Sequence, residues 1–382
     1  MSVPASFSDS FSDSSGGSDK TIWYTRCPVP TAFGLAARLG WITDALASHG
    51  IAFKSLAAAG DASSRQSHFE HTQPDSFRHG GNIPALAARS RGADVRLIGL
   101  SWTRTAQRVL AGAESGIETI EQLAGRKVSI PRRLDDTIDF WRATVLRGFE
   151  QALATAGMTL GDVKVVEVPV ARSFVSDATK RNGDNDTLWD AKYMLGHQRE
   201  EVLALARGDI DAIYSEGAIS EIVQGFSGAR VVFDFDSIDD TSASSTTAGR
   251  TRRVNNSQPL AFTVSGTLAD GHPDVLAEVV LISRNAAAWA RENERDAKRL
   301  IAAEVGLPEE LVDTAFSPNV HRELGFDLSQ GNMARLQIQH DHLRKHGFIS
   351  RRVDLDAFAL WTPQSQHQPH QYAETQPRAV AF

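Results

Sequence analysis

The sequence predicts an α/β fold with two lobes, in which mostly parallel sheets carry helices on both faces. Short apolar segments alternate with helical patterns over residues 21–100, and the same alternation returns over 120–235. Such alternation is typical of parallel sheets that are covered by helices. Two connecting stretches, 102–125 and 236–258, join the two runs. Two α/β lobes with two crossings indicate the type II architecture of periplasmic binding proteins, which closes around a small ligand.

The composition agrees with a globular protein that has no nucleic-acid or membrane partner. The chain has 382 residues, 41% hydrophobic and 23% charged, and a net charge of −7. This length supports two cores, and the negative charge without a basic stripe argues against nucleic-acid binding. No segment is long and apolar enough for a membrane span, and the first residues lack the pattern of a signal peptide. The single cysteine suits a reducing compartment, so we expect a cytoplasmic protein.

The first lobe is predicted from short β-branched and aromatic strands that alternate with helical spacing. Before it, residues 1–20 are rich in Ser, Asp and Gly, and we expect a disordered tail there. The predicted elements that follow are a strand at 21–24, a helix at 31–48, a strand at 51–56, a polar loop at 57–66, an extended segment at 68–71, a helix at 84–91 and a strand at 95–100.

The second lobe is predicted from the same kind of pattern. Its longest helix, at 137–156, places Phe140, Trp141, Val145 and Phe149 along one face. The other predicted elements are a helix, a Gly turn and a strand within 120–131, a strand at 163–170, a polar loop at 176–190, a helix ending at 207, a strand at 210–214, a helix from 218 and a strand at 230–235.

The last part of the chain is predicted to return to the first lobe. The Ser- and Thr-rich stretch 236–258 predicts a long loop at the second crossing. A strand is expected at 259–265, with helices at 274–293, 294–305, 309–316, 328–346 and 354–360. The predicted domains are lobe A, residues 21–110 with 250–365, lobe B, residues 111–249, and a loose C-terminal tail at 366–382.

A group of chemically reactive residues follows the first strands. Cys27 comes directly after a strand and shortly before a helix, where free amides and the helix dipole favour thiolate. His68, Arg78 and the pair Gly80-Gly81 supply an imidazole, a guanidinium and backbone amides ahead of a second helix. Each alone has a plainer explanation, such as a small buried cysteine or a structural histidine. Together they indicate a nucleophilic or acid–base site that acts on an anion.

Short motifs around these residues resemble one known enzyme family. They are Tyr24-Thr25-Arg26-Cys27-Pro28-Val29-Pro30, His68-Phe69, Gln73-Pro74, Arg78-His79-Gly80-Gly81 and Ile83-Pro84. The set is similar to that of the 2'-hydroxybiphenyl-2-sulfinate desulfinases, which act last in bacterial dibenzothiophene desulfurisation. The resemblance implies a cytoplasmic, monomeric hydrolase of carbon–sulfur bonds that needs no cofactor. It also implies an aromatic sulfinate as the substrate.

The resemblance assigns a role to particular residues of this chain. It implies that Cys27, His68 and Arg78 are catalytic. The expected substrate-binding residues are Thr25, Gln73, Gly80, Gly81, Trp141 and Ser215. The chain departs from the family pattern at Arg26, His71-Thr72 and Glu216, where the family has an uncharged residue, a Tyr-Asp pair and a bulky aromatic. Glu216 suggests a more polar substrate than a plain biaryl.

The expected chemistry is cleavage of a C–S bond while the ring carbon gains a proton. Arg78 is expected to hold the sulfinate oxygens with its fork, helped by the glycine amides. Cys27 either protonates the ring carbon or attacks sulfur, and His68 sets the ionisation of the thiol. Trp141 is expected to form an aromatic wall. The alternative is a cytoplasmic binding protein for a sulfonate, sulfinate or similar organic anion, in which the thiol is incidental.

Neither a metal nor a nucleotide site is predicted. The sequence contains no CxxC, HExxH or phosphate-loop pattern. His340, His342 and His346 lie on one predicted helix, and their spacing as a set of three spreads them around it. We therefore interpret them as a solvated helix face, and we expect no metal.

Overall fold

A computed structural model of the chain describes residues 20–59, 61–171, 173, 195–235 and 259–360. Several predicted segments lie outside the described residues: the N-terminal tail up to residue 19, the polar loop at 176–190, the crossing loop at 236–258 and the C-terminal tail at 366–382. None of the described helices is long and apolar enough to cross a membrane.

The described strands are β1 (Lys20–Arg26), β2 (Ile51–Ser55), β3 (Ser76–Gly80), β4 (Val95–Ser101), β5 (Gln107–Ala111), β6 (Lys127–Arg133), β7 (Lys164–Val170), β8 (Ala212–Glu216), β9 (Arg230–Asp234), β10 (Leu260–Ser265) and β11 (Phe326–Asp327).

The described α-helices are α1 (Ala32–Arg38), α2 (Trp41–Ala47), α3 (Ala62–Glu70), α4 (Asn82–Arg91), α5 (Phe140–Thr155), α6 (Arg199–Ala206), α7 (Gly217–Ser227), α8 (Gly266–Gly271), α9 (Pro273–Glu292), α10 (Glu294–Val305), α11 (Val312–Ala315), α12 (Gln330–Lys345) and α13 (Leu355–Phe358).

Two separate sheets confirm the predicted α/β class. The first sheet has the strand order β11-β4-β10-β3-β1-β2, and the second has the order β7-β6-β8-β5-β9. In the first sheet β1 pairs in parallel with β2 and β3, and β10 enters between β3 and β4 in the opposite direction. In the second sheet β5 is the strand that runs against its neighbours. β10 thus returns the chain to the first sheet after the strands of the second.

The first crossing is shorter than the sequence indicated. The stretch 102–125 was expected to connect the lobes without a strand, but β5 lies within it and pairs with β8 and β9. Residues 107–110, which the prediction placed in lobe A, therefore belong to the second sheet. Only residues 102–106 separate β4 from β5.

The predicted helix at 31–48 is two helices. Gly40 adopts a left-handed conformation, φ 75°, between α1 and α2, and such a turn ends a helix. The buried side chains of α1 and α2 pack with those of β1 and β10 in a single core. The prediction of a single helix is therefore wrong at Gly40, because the helical spacing alone did not indicate a turn there.

The region after β2 also differs from the prediction. Residues 57–66 were expected to form a loop and 68–71 an extended segment, but α3 covers 62–66 of the first and 68–70 of the second. The carboxylate of Asp61 accepts from the Ser64 amide at 2.7 Å and caps the helix. α3 ends at His71, which is left-handed with φ 55°. β3 then follows where a loop was expected, so both His68 and Arg78 lie on regular elements.

Candidate functional site

Cys27 lies at the carboxyl end of β1, as predicted, where β3 runs alongside in the same direction. Its backbone N–H donates to the carbonyl of His79 at 3.1 Å, so strand pairing fixes the position of the thiol. The side chain is half-buried. A Cβ on Gly80 would overlap the Cys27 sulfur and lie 3.0 Å from its Cβ. A residue without a side chain is therefore needed beside the thiol.

The last turn of α3 brings His68 to the thiol. Its imidazole is fully buried, and Nε2 lies 3.5 Å from Cys27 Sγ. The other ring nitrogen, Nδ1, lies 2.8 Å from the Thr25 hydroxyl oxygen. A neutral imidazole has one donor and one acceptor nitrogen, so the ring links hydroxyl and thiol in one hydrogen-bonded chain. Thr25, which was expected near the thiol, reaches it through the base.

Arg78 lies in β3 and its side chain is buried. Nε donates to the carbonyl of His68 at 2.8 Å, and Nη1 donates to the carbonyl of Gly81 at 2.9 Å. Nη2 lies 3.8 Å from Cys27 Sγ. Two of its N–H groups therefore hold the backbone around α3 and α4 in place. The guanidinium is less available as a free fork than the sequence suggested, and the edge that carries Nη2 faces the thiol.

The start of α4 adds backbone donors to the site. Gly81 is the N-cap of this helix, and no side chain accepts from its first amides. The Gly81 backbone N–H acts to lower the pKa of the Cys27 thiol. Free amides at a helix N-terminus favour an anion. The predicted glycine pair thus has two separate uses, close approach at Gly80 and an amide at Gly81.

Burial decides the protonation of Cys27 and His68. Burial raises the pKa of the Cys27 thiol above 9.0, although Arg78 and the Gly81 amide act in the opposite direction. Burial lowers the pKa of His68 well below 6.5, and the charge of Arg78 lowers it further. Both shifts favour a neutral thiol beside a neutral imidazole. The sequence predicted a thiolate, and desolvation outweighs the helix start that suggested it.

Arg26 does not share the site with the neighbouring thiol. Successive side chains of a strand point to opposite faces, and Arg26 points away from Cys27 into the core of the first lobe. There its Nε donates to Glu304 Oε1 at 2.6 Å, and Arg38 pairs with the other carboxylate oxygen. Arg26 therefore does not face the thiol, although its partner Glu304 acts through its charge to raise the pKa of Cys27.

Two predicted substrate-binding residues lie in local hydrogen-bond networks. Gln73 follows α3, and its backbone N–H donates to the Ser67 hydroxyl at 2.7 Å. Ser215 is buried in β8, where its hydroxyl donates to Gln198 Oε1 at 2.5 Å. Glu216, at the end of the same strand, accepts from the Tyr214 hydroxyl at 3.2 Å. These hydrogen bonds tie Gln73 to α3 and Ser215 to the turn before α6.

Trp141 is a core residue of the second lobe. It is fully buried and packs edge-on against His197 with ring centroids 4.3 Å apart. Its indole N–H donates to Glu201 Oε2 at 2.7 Å, and burial raises the pKa of that carboxyl well above its ordinary value. Trp141 therefore packs inside the second lobe, and its role as an aromatic wall of the site stays a prediction.

The adjacent Phe140 is the aromatic residue that reaches the catalytic side. Its ring stacks on that of Phe69 at 6.1 Å and 15°, and Phe69 itself packs edge-on against His68 at 4.8 Å. Phe140 begins α5 of the second lobe, whereas Phe69 belongs to α3 of the first. The sequence pattern predicted that Phe140 and Trp141 share one helix face. The one-residue rotation of about 100° separates them.

The three histidines of α12 are not a solvated face. His340 and His342 are buried, and His340 Nε2 accepts from the Val353 amide at 3.1 Å. His342 and His346 both face Glu150 of α5. The prediction rested on the spacing of all three histidines. The last two are four residues apart and therefore lie on one side of the helix.

Comparison with known proteins confirms the resemblance. No family model matches the chain. Curated 2'-hydroxybiphenyl-2-sulfinate desulfinases from Rhodococcus erythropolis and Rhodococcus qingshengii are 26% identical over 358 residues, which is 89% of this chain and 91% of theirs. The crystal structure of the desulfurization enzyme DszB superposes with a TM-score of 0.69 at 26% identity and covers 89% of this chain and 96% of its own.

Two further solved structures share the fold. A cysteine-to-serine mutant of DszB, in complex with biphenyl-2-sulfinic acid, has a TM-score of 0.69 and 24% identity over 89% of this chain and 96% of its own. The periplasmic aliphatic sulphonate-binding protein SsuA from Escherichia coli has a TM-score of 0.61 and 14% identity over 94% and 98%. The predicted binding-protein architecture is thereby confirmed.

Proposed function

We propose that this chain is a desulfinase that cleaves the C–S bond of an aromatic sulfinate, 2'-hydroxybiphenyl-2-sulfinate or a close relative, and releases sulfite and the protonated arene. Similarity to the Rhodococcus desulfinases over most of both chains supports the reaction. The paired thiol and imidazole support it independently.

A single observation supports the proposal most strongly: Arg78 is a buried guanidinium beside the thiol, and no carboxylate among the described residues pairs with it. Burying an unpaired charge is costly. A sulfinate would supply the missing negative charge. Its oxygens would lie against Nη2 of Arg78 and the amides at the start of α4, with the C–S bond near Cys27.

The thiol acts as a proton donor. Both residues of the pair are held in their neutral forms, because burial raises the pKa of Cys27 and lowers that of His68. A nucleophilic thiolate would need the opposite shift. The S–H group therefore protonates the ring carbon that bears the sulfinate.

The proposed steps balance without a cofactor. Proton transfer from Cys27 to the ring carbon breaks the C–S bond. The products of this step are the arene, sulfur dioxide and the thiolate of Cys27. Arg78 and the Gly81 amide stabilise this thiolate. Water adds to the sulfur dioxide and gives hydrogen sulfite, and the proton so released returns to Cys27 through His68. The net reaction is sulfinate plus water to arene plus hydrogen sulfite, which makes the enzyme a hydrolase of carbon–sulfur bonds.

The aromatic part of the substrate has a matching surface at Phe69 and Phe140. The two stacked rings lie beside His68 and come from different lobes. An aryl group packed there would be shielded from water, which strengthens the electrostatic interactions of Arg78. We further propose that the protein works as a cytoplasmic monomer without a cofactor.

Sulfite release from 2'-hydroxybiphenyl-2-sulfinate tests the function, with purified wild-type protein and Cys27→Ser and no cofactor or metal added. We expect turnover by the wild type and a loss of at least about 1,000-fold in the variant, because a serine hydroxyl is a far weaker acid than a thiol. Binding should survive, since Arg78 and α4 are untouched.

The binding-protein alternative gives a different pattern. It expects equal affinity for the sulfinate in both proteins and no sulfite from either. No release from any aromatic sulfinate by the wild type would contradict the proposed function. Circular dichroism on both proteins controls for misfolding.

A further inference from the structure

A second cluster of chemically competent side chains lies away from the thiol site. Glu150 of α5 faces His342 and His346 of α12, and one ligand atom from each residue lies within 4.8 Å of the other two. Glu150 Oε2 is 3.6 Å from His342 Nδ1, and Glu150 Oε1 is 3.0 Å from His346 Nε2. Two imidazoles and one carboxylate form a familiar ligand set for zinc.

The hydrogen bonds of His342 direct a lone pair at the cluster. Its Nε2 lies 3.1 Å from the backbone carbonyl of Ala143, which accepts only, so Nε2 carries the proton. In a neutral ring Nδ1 is then the unprotonated nitrogen, and Nδ1 is the atom that faces Glu150. A backbone carbonyl that orients the second nitrogen is typical of metal-bound histidine.

His346 provides a second ligand nitrogen. Its Nε2 is buried and has no hydrogen-bond partner of good geometry, even though Glu150 Oε1 is 3.0 Å away. Tetrahedral zinc with ligands at about 2.1 Å sets neighbouring ligand atoms roughly 3.4 Å apart. The present separations of 3.0 and 3.6 Å lie on either side of that value.

The cluster joins the two lobes. α5 packs on β6 and β8 of the second sheet, whereas α12 packs on α4 and β4 of the first. Arg147 also crosses this boundary and bonds to Gln339. α5 begins at Phe140, whose ring stacks on Phe69 beside the catalytic histidine.

The neighbouring cations set the strength of such a site. Lys345 Nζ lies 3.0 Å from Glu150 Oε1 and competes for that oxygen, but its side chain is 66% exposed and free to turn into solvent. Arg147 is buried and acts on His342 through its charge. These positive charges weaken the attraction for a metal cation.

We propose that Glu150, His342 and His346 form a non-catalytic site for a divalent transition-metal cation of the zinc type, which ties α5 of the second lobe to α12 of the first. Imidazole and carboxylate ligands suit zinc, and water would complete the coordination. The site is independent of the proposed desulfinase reaction.

Zinc titration by isothermal calorimetry tests the site, with the full chain in a Cys27→Ser background so that the thiol does not contribute. We expect one zinc ion per chain. His346→Ala and Glu150→Gln should each weaken binding by more than the roughly 10–100-fold that follows from disturbing a second-shell partner. Lys345→Ala should strengthen it. Zinc should also raise the Tm of the parent and not of the two ligand variants, because only a folded site binds it.

His49→Ala is the matched control. His49 also faces a glutamate, Glu278, at 3.6 Å, but the pair is exposed and has no second histidine among the described residues. Its removal should leave zinc affinity unchanged. Equal affinity in the parent, His346→Ala and Glu150→Gln would overturn the proposal, and so would an absence of binding by the parent. Because neither measurement uses the sulfinate, a failed desulfinase assay would not affect the result.

Discussion

Arg26 and Arg78 lie on the paired strands β1 and β3, and both guanidinium groups are buried, yet their surroundings differ. Arg26 binds the carboxylate of Glu304 at 2.6 Å. Arg78 binds two backbone carbonyls and faces a thiol. Burial would lower the pKa of Arg26, but Glu304 raises it above its ordinary value. Burial lowers the pKa of Arg78, and only the charge of Cys27 acts in the opposite direction.

The difference separates a structural charge from a functional one. A buried arginine with a carboxylate has its charge balanced inside the protein, and losing either partner destabilises the fold. A buried arginine without a carboxylate is unfavourable until an anion arrives, and binding of that anion recovers the cost. The first sheet thus holds both kinds on adjacent strands, the structural arginine on β1 and the functional one on β3.

The largest expected effect is a loss of stability when Arg26 loses its carboxylate partner. Glu304→Gln leaves Arg26 and Arg38 without a carboxylate and should lower the free energy of unfolding by about 3–5 kcal/mol. Urea denaturation followed by circular dichroism measures this. Sulfite release per folded molecule should be unchanged. A large loss of activity at unchanged stability would mean that the Arg26 cluster acts on the site.

Arg78→Gln should give the converse result. Removing the group that stabilises the developing negative charge costs about 2.7–4 kcal/mol, or 100- to 1,000-fold, in comparable sites. We expect such a loss in kcat/KM for sulfinate, with less destabilisation than in Glu304→Gln. Arg96→Gln is the control, because Arg96 pairs with exposed Asp270 at the surface. Unfolding without a specific kinetic defect would place Arg78 with Arg26 as a structural residue.

Gly80 tests how closely the thiol must be held. Gly80→Ala forces a methyl group into the Cys27 sulfur, whereas a Cβ on Gly81 meets nothing within 4 Å. Displacement of a reacting atom by about 1 Å can cost around 100-fold, so we expect a loss of 10- to 100-fold in kcat. Gly81→Ala keeps its amide and should lose at most a few-fold. Similar kinetics for the two variants would show that the contact at Gly80 is unimportant.

Sequence patterns predicted the site better than they predicted its supports. Cys27 at a strand end and the helix after Gly81 followed from local spacing. His68 was expected in an extended segment, because α3 has little apolar periodicity. The cap at Asp61 and the end at His71, which define this helix, were not recognised in the sequence. Which of Phe140 and Trp141 turns outward depends on how α5 packs against both lobes, which one helix pattern does not contain.

The opposing pKa shifts of Cys27 and His68 could not be predicted from the sequence either. A helix start favours thiolate, and this local effect was visible in the residues around Cys27. Desolvation depends on the atoms that α3, β3 and α4 bring together, and those contacts come from distant parts of the chain. Glu304, which neutralises Arg26 from 278 residues away, was missed for the same reason.

The smallest expected effect is the pH dependence near neutrality. The thiol must be protonated to donate, and its pKa is raised above 9.0, so activity should fall only as pH rises beyond that value. The imidazole must be neutral to return the proton, and its pKa lies well below 6.5. The profile of kcat/KM should therefore be flat across neutrality, with no histidine-like step. A thiolate–imidazolium pair would instead give a bell-shaped profile near neutrality. A bell there would reverse the assigned proton positions and make Cys27 the nucleophile that attacks sulfur.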